Sequence, residues 1–103
     1  MPTFEEALEY LSIDYPDAVI TANVNRAMRT AEATLKGSVG RDAFELLPDD
    51  PRLKELALVF IDDLYTNRGV SAKVSGATRQ LVHTMVLQLC LELRAKRKEV
   101  AQA

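Results

Sequence analysis

The chain has 103 residues, of which 48% are apolar and 27% are charged, values typical of one folded domain and not of a disordered chain. Its net charge of −2 gives no general attraction for nucleic acid, and its longest apolar run, residues 56–61, is far too short to span a membrane. We expect a single domain over residues 1–103, without a signal peptide, in the cytoplasm of the cell that makes it.

Two helices are predicted in the first part of the chain. Thr3 and Glu6 form a capping-box pattern, and the apolar residues after Thr3 have helical spacing, so a short helix is expected over about residues 4–11. A longer helix is expected over about residues 16–36, with Asp14 as its N-cap.

The limits of this second helix follow from proline and glycine. Pro16 suits a first helical turn, and both Gly37 and Gly40 are expected to stop the helix. Residues 37–50 then form the longest predicted loop. Because this loop contains apolar side chains, either it packs on its own domain or a partner covers it. These side chains are Phe44, Leu46 and Leu47.

The third helix has the clearest apolar periodicity in the chain. Asp50 is its expected N-cap, Pro51 its first residue and Gly69 its terminator. A polar, mobile linker is expected at residues 70–76, with Ser75 capping a last helix over about 76–98. The apolar stripe of the third helix consists of Leu53, Leu56, Ala57, Phe60, Ile61, Leu64 and Tyr65. The predicted fold is therefore all-α, a small four-helix domain with a short first helix, three longer helices and two flexible loops.

The last helix has apolar residues on two sides, although a surface helix needs only one apolar side. Leu87 and Leu91 lie nearly opposite the main stripe. Two explanations remain open: the other helices surround this helix, or a neighbouring subunit covers its second side. The main stripe consists of Val82, Met85, Val86, Leu89 and Leu93.

Charge is distributed unevenly along the sequence. Residues 1–50 carry ten acidic and four basic residues, whereas residues 51–103 carry five acidic and nine basic residues. The two halves therefore pair within one monomer or between copies. Four cations crowd the end of the last helix, where they offset the helix dipole or contact DNA phosphates or an acidic partner. They are Arg94, Lys96, Arg97 and Lys98.

Residues with catalytic potential are few. His83 is the only histidine and Cys90 the only cysteine, so neither a disulfide nor a Cys/His zinc cluster is expected. Asp62 and Asp63 are adjacent and point about 100° apart on a helix, which argues against a carboxylate pair. No glycine-rich phosphate loop is present. We expect a protein without catalytic residues, cofactor or metal.

Five segments of the chain carry short motifs in a particular order. They are residues 8–14, 37–40, 51–58, 63–69 and 81–93, and the fourth contains Tyr65, Asn67 and Arg68. The order of these motifs resembles the head–tail connector family of tailed phages and prophages, the small DNA-packaging or head-completion proteins. The resemblance covers nearly the whole chain, and its most specific part matches the family's L-Y-x-N-R pattern at Tyr65, Asn67 and Arg68.

The resemblance implies a structural protein that forms a homo-oligomeric ring beneath the portal protein and joins the head to neck or tail-completion proteins. Such a ring lines the DNA passage, so non-specific contact with packaged DNA is implied, and the protein moves from the host cytoplasm to the virion head–tail junction. Tyr65, Asn67, Arg68, Leu87 and Leu91 are the candidate subunit-interface residues. For Arg68, an intersubunit ion pair competes with a bond to helix carbonyls or Asp63. A small helical DNA-binding regulator and a cytosolic adaptor are the alternative functions.

Overall fold

The computed structural model describes residues 1–66 and 76–102, without the side chains of residues 76–79 and 102. Five helices occur in this part of the chain. No strand occurs among these residues, which confirms the predicted all-α fold. Asn67, Arg68, Gly69, Ser75 and most of the predicted linker lie outside the described residues. The helices are α1 (Phe4–Tyr10), α2 (Ala18–Ser38), α3 (Ala43–Leu46), α4 (Pro51–Thr66) and α5 (Gly76–Gln102).

Both ends of α1 have hydrogen-bonded caps. Thr3 Oγ1 accepts from the Glu6 backbone N–H at 3.1 Å, and Glu6 Oε1 accepts from the Thr3 N–H at 3.0 Å, which confirms the predicted capping box. At the other end, Ser12 adopts a left-handed conformation with φ of 60°, and the Ile13 N–H donates to the Leu8 carbonyl. This Schellman-type ending turns the chain sharply away from α1.

The start of α2 lies later than predicted. Asp17, and not Asp14, is the N-cap, because Asp17 has an extended backbone and its Oδ1 accepts from the Ile20 N–H at 2.7 Å. Pro16 consequently precedes the helix and does not belong to its first turn. Both aspartates offer the same capping group, so the sequence did not separate them.

The end of α2 is set by one of the two predicted glycines. Gly37 lies inside the helix, whereas Gly40 follows the C-cap Val39 and has φ of 154°, a conformation that favours glycine. A β-carbon added at Gly40 would collide with the Leu93 side chain and the Arg97 guanidinium of α5. The prediction that Gly37 stops the helix was therefore wrong, and Gly40 is what lets α5 approach this turn.

The predicted loop at residues 37–50 contains the one-turn helix α3. Ala43 and Leu47 are buried in the core, and Phe44 and Leu46 pack against it. The loop therefore packs on its own domain, which was one of the two expected explanations for its apolar residues. Burial of these apolar side chains holds the loop against the core.

The predicted start and apolar stripe of α4 are confirmed. Asp50 Oδ1 accepts from the Arg52 N–H at 2.9 Å, which places Asp50 at the N-cap and Pro51 at the first helical position. The stripe residues Leu53, Leu56, Ala57 and Ile61 are buried. The other members, Phe60, Leu64 and Tyr65, are partly buried and pack against the core.

The interior consists of two clusters that α4 connects. The α1-side core lies between α1, the middle of α2 and the later part of α4, and α5 contributes nothing to its buried members. The α5-side core lies between the end of α2, α3, the start of α4 and α5. The buried members of the α1-side core are Ala7, Val24, Ala27, Ala31 and Ile61. Those of the α5-side core are Leu35, Val39, Ala43, Leu47, Leu53, Leu56, Ala57, Leu89 and Leu93.

The Gly40 turn yields a stability prediction. Gly40→Ala is expected to lower the free energy of unfolding by about 2–4 kcal/mol, because the new methyl group meets both an unfavourable backbone conformation and the side chains of α5. Gly37→Ala is the matched control, since nothing lies within 4 Å of its added β-carbon and alanine favours a helix. Urea unfolding should rank Gly37→Ala at or above the native chain. Equal destabilisation by both substitutions would contradict this account.

Candidate assembly surface

One side of α5 is packed in the α5-side core. Leu89 and Leu93 are fully buried, and three further residues of the predicted main stripe are partly buried against the same cluster. These three are Val82, Met85 and Val86. The main stripe of the last helix is therefore confirmed.

The opposite side of α5 is uncovered. Leu87 and Leu91 are 52% and 64% exposed. The main neighbours of α5 are α3 and α4. The other helices therefore do not surround α5, and the first of the two predicted explanations for its second apolar side was wrong.

Exposed leucines on one side of a helix favour contact with another protein surface. Covering a leucine side chain removes apolar area from water and contributes on the order of 1–2 kcal/mol for a side chain that is more than half exposed. Leu87 and Leu91 are one helical turn apart, so a single partner surface can cover both. We call the side of α5 that carries them the outer side.

The four cations at the end of α5 do not act as one patch. Arg97 donates from Nε and Nη2 to the Asp42 carboxylate at 2.9 and 2.6 Å, which ties α5 to the residue preceding α3. Lys96 forms an ion pair with Glu99 in the next turn, with 3.5 Å between Nζ and Oε2. Arg94 and Lys98 are exposed and form no ion pair with any residue that the structure describes. Only these two remain available for an external partner.

Arg52, a residue of α4, also binds side chains of α5. Arg52 forms ion pairs with Asp50 and with Glu92 of α5, and its Nη1 donates to the Gln88 side chain at 3.3 Å. Hydrogen bonds from Arg52 lower the pKa of Asp50, and those to Asp50 and Glu92 raise the pKa of Arg52. The sequence gives no sign of this role for Arg52, because contacts between distant helices leave no spacing pattern in the chain.

Several ion pairs join the acidic half of the sequence to the basic half within one chain. Asp42 pairs with Arg97, and Glu6 pairs with Lys54. These contacts support the expectation that the two halves pair inside the monomer, although they use only some of the charged side chains. The remaining acidic and basic residues stay exposed to solvent or to a partner.

The candidate interface residues do not form one group. Tyr65 is partly buried against the α1-side core, so its predicted packing role is confirmed, while Leu87 and Leu91 lie on the outer side of α5. Asn67 and Arg68 lie outside the described residues, and their roles stay predictions.

The residues with catalytic potential also lie apart from one another. His83 is exposed, and the partly buried Cys90 thiol contacts the Ser38 and Val39 carbonyls at 3.4 and 3.7 Å. Asp62 accepts a hydrogen bond from the Thr66 hydroxyl at 2.9 Å. Among residues 1–66 and 76–102, no group of His, Cys, Asp and Glu side chains is arranged to hold a metal ion.

Comparisons with known proteins gave no assignment. No protein-family model, no curated protein and no solved structure matches this chain. Within the described part of the chain, none of the helices is both long and apolar enough to cross a membrane.

The pairing of Asp42 with Arg97 predicts a pH-dependent contribution to stability. Hydrogen bonds from Arg97 lower the pKa of Asp42 in the folded chain, so the stabilisation is present above the usual carboxyl range and is lost as pH falls through the lowered pKa. Asp42→Asn should therefore be less stable than the native chain at pH 7, and this difference should shrink towards about pH 2.5.

The measurement is urea unfolding at both pH values, with Asp49→Asn as the control. Asp49 is exposed and forms no ion pair within the described residues, so its substitution should change little at either pH. A stability difference for Asp42→Asn that is the same at both pH values would contradict the ion-pair explanation.

Proposed function

We propose that this protein is a structural subunit that assembles with copies of itself, and that it serves as a head–tail connector of a tailed phage or prophage. The outer side of α5 carries the proposal, because Leu87 and Leu91 are exposed there on a helix that the chain's own core holds from the other side. Two exposed leucines one helical turn apart favour contact with a partner surface that buries both.

A ring places different requirements on a subunit than a two-fold dimer does. Each subunit must present two different, complementary surfaces, one to each neighbour. The outer side of α5 supplies one such surface. The unpaired acidic residues of the first half of the chain are available to form the other. The connector assignment itself is supported by the order of the short motifs, of which the most specific contains Tyr65, Asn67 and Arg68.

In this role the protein acts by binding and not by catalysis. The ring forms in the host cytoplasm, joins the portal protein to a neck or tail-completion protein, and becomes part of the virion at the head–tail junction. Packaged DNA passes through it, and exposed cations such as Arg94 and Lys98 are available for non-specific contact with phosphates.

The first test addresses assembly. The double substitution Leu87→Asp and Leu91→Asp should give a folded monomer, because aspartate on the outer side opposes burial while the buried side of α5 is unchanged. Light scattering and sedimentation velocity should report about the 11.5 kDa mass of one chain, with native helicity in circular dichroism.

Val19→Asp is the matched control, since Val19 is 68% exposed near the start of α2 and lies away from α5. It should assemble as the native chain does. A double aspartate variant that assembles normally would exclude the outer side of α5 as the interface.

The second test addresses the connector role. Phage particles produced without this protein should contain heads that fail to receive tails, when examined by electron microscopy. Complete and infectious tailed particles would contradict the role. Sequence-specific DNA binding in a gel-shift titration across a salt series would favour a regulator, and co-purification with a host protein in place of portal would favour an adaptor.

A further inference from the structure

The outer side of α5 continues into a charged segment. Leu87, Leu91, Arg94 and Lys98 follow one another at steps of four, three and four residues, so they form a single stripe about 16 Å long. All four are exposed, and neither cation is paired within the described residues. This outer stripe therefore has an apolar first half and a cationic second half. Such a stripe is suited to a groove that offers apolar side chains to the leucines and acidic side chains to the cations.

A groove with both apolar and acidic side chains lies elsewhere on the same chain. A cavity of about 210 Å³ opens between α1 and α4, lined by Glu6, Glu9, Tyr10 and Leu58. Tyr10 is 40% exposed and Leu58 is partly buried, so the groove offers an aromatic ring and an aliphatic side chain. These two apolar side chains are suited to contact with leucine side chains.

Acidic residues surround this groove. Glu55 and Asp62 lie on the same face of α4 as Leu58, at steps of three and four residues. Burial raises the pKa of Tyr10, and the negative charges of Glu55 and Asp62 raise it further. Lys54 pairs with Glu6, but Glu9 and Glu55 have no ion-pair partner among the described residues.

We propose that the outer stripe of α5 in one copy docks into the α1–α4 groove of the next copy, with Leu87 and Leu91 against Tyr10 and Leu58 and with Arg94 and Lys98 near Glu9 and Glu55. This inference rests on the proposed self-assembly and identifies the second surface of that contact. Apolar groups meet apolar groups and cations meet carboxylates, so the two surfaces are complementary in both respects.

This contact joins two different surfaces of the subunit. The outer stripe lies on α5, whereas the groove lies between α1 and α4. A contact between two different surfaces of identical chains is heterologous, and it closes into a ring when the rotation between neighbours permits. The two leucines beside the cations favour a protein occupant over DNA, which offers only phosphates and base edges.

Charge reversal on each surface tests the contact. One variant carries Glu9→Lys and Glu55→Lys, and a second carries Arg94→Glu and Lys98→Glu. Each alone should weaken self-association at least about 100-fold, because like charges then face each other. An equal mixture of the two variants should assemble again, since the basic groove of the first accepts the acidic stripe of the second while their unaltered surfaces also match.

The control is Arg26→Glu with Arg29→Glu, an equal charge change at exposed positions of α2, which should assemble as the native chain does. Circular dichroism should report native helicity for every variant, since all the replaced side chains are exposed. If the lysine pair disturbs folding, the neutral pair Glu9→Gln and Glu55→Gln replaces it and should still weaken assembly. Sedimentation velocity over a concentration series is the measurement.

The outcomes separate this inference from the proposed function. A native chain that assembles, together with both reversed variants that assemble equally well, would overturn the docking site and leave self-assembly intact. A native chain that stays monomeric at every concentration would overturn both. Normal assembly of the Arg94→Glu and Lys98→Glu variant with a loss of DNA binding would assign these cations to DNA and overturn the inference. Failure of the mixture to assemble would also overturn it.

Discussion

The long helix α5 is held along one side only, and the surface chemistry of the protein follows from this one-sided contact. Leu89 and Leu93 fill the α5-side core, and Gly40 leaves the space that Leu93 requires. Arg52 and Arg97 then fix the helix from two directions. Because these contacts are complete within one chain, no partner is needed to hold α5, and its opposite side remains available.

The length of α5 exposes still more of this helix. Its 27 residues extend over about 40 Å, whereas its last fully buried side chain is Leu93. Val100 has the same position on the helix two turns after Leu93, yet it is 61% exposed. The final turns therefore project past the core, which gives the cations at this end access to another molecule.

Local patterns were sufficient to predict most of the helices. The capping box at Thr3, the N-cap at Asp50 and the apolar stripes of α4 and α5 depend on neighbours within one or two turns, and the sequence displays such neighbours directly. The start of α2 was misplaced because Asp14 and Asp17 carry the same capping carboxylate. The helix α3 was missed because its four residues are too few to display a period, and packing on the core selects it.

The candidate site was predictable in part for the same reason. The second apolar side of α5 follows from helical spacing alone, but its exposure depends on where the other helices pack. Asp42 and Arg97 are 55 residues apart, and the groove that contains Tyr10 forms only when α1 and α4 meet. Contacts of this kind arise from the tertiary arrangement, which a single sequence does not display.

The position of Cys90 has a practical consequence. It is the only cysteine in the chain, and its thiol lies beside the carbonyls at the end of α2, on a side of α5 that neither of the exposed leucines occupies. A thiol reagent should therefore modify it faster when α5 separates from the end of α2. A single chemical label at this sulfur would monitor that motion without altering either leucine.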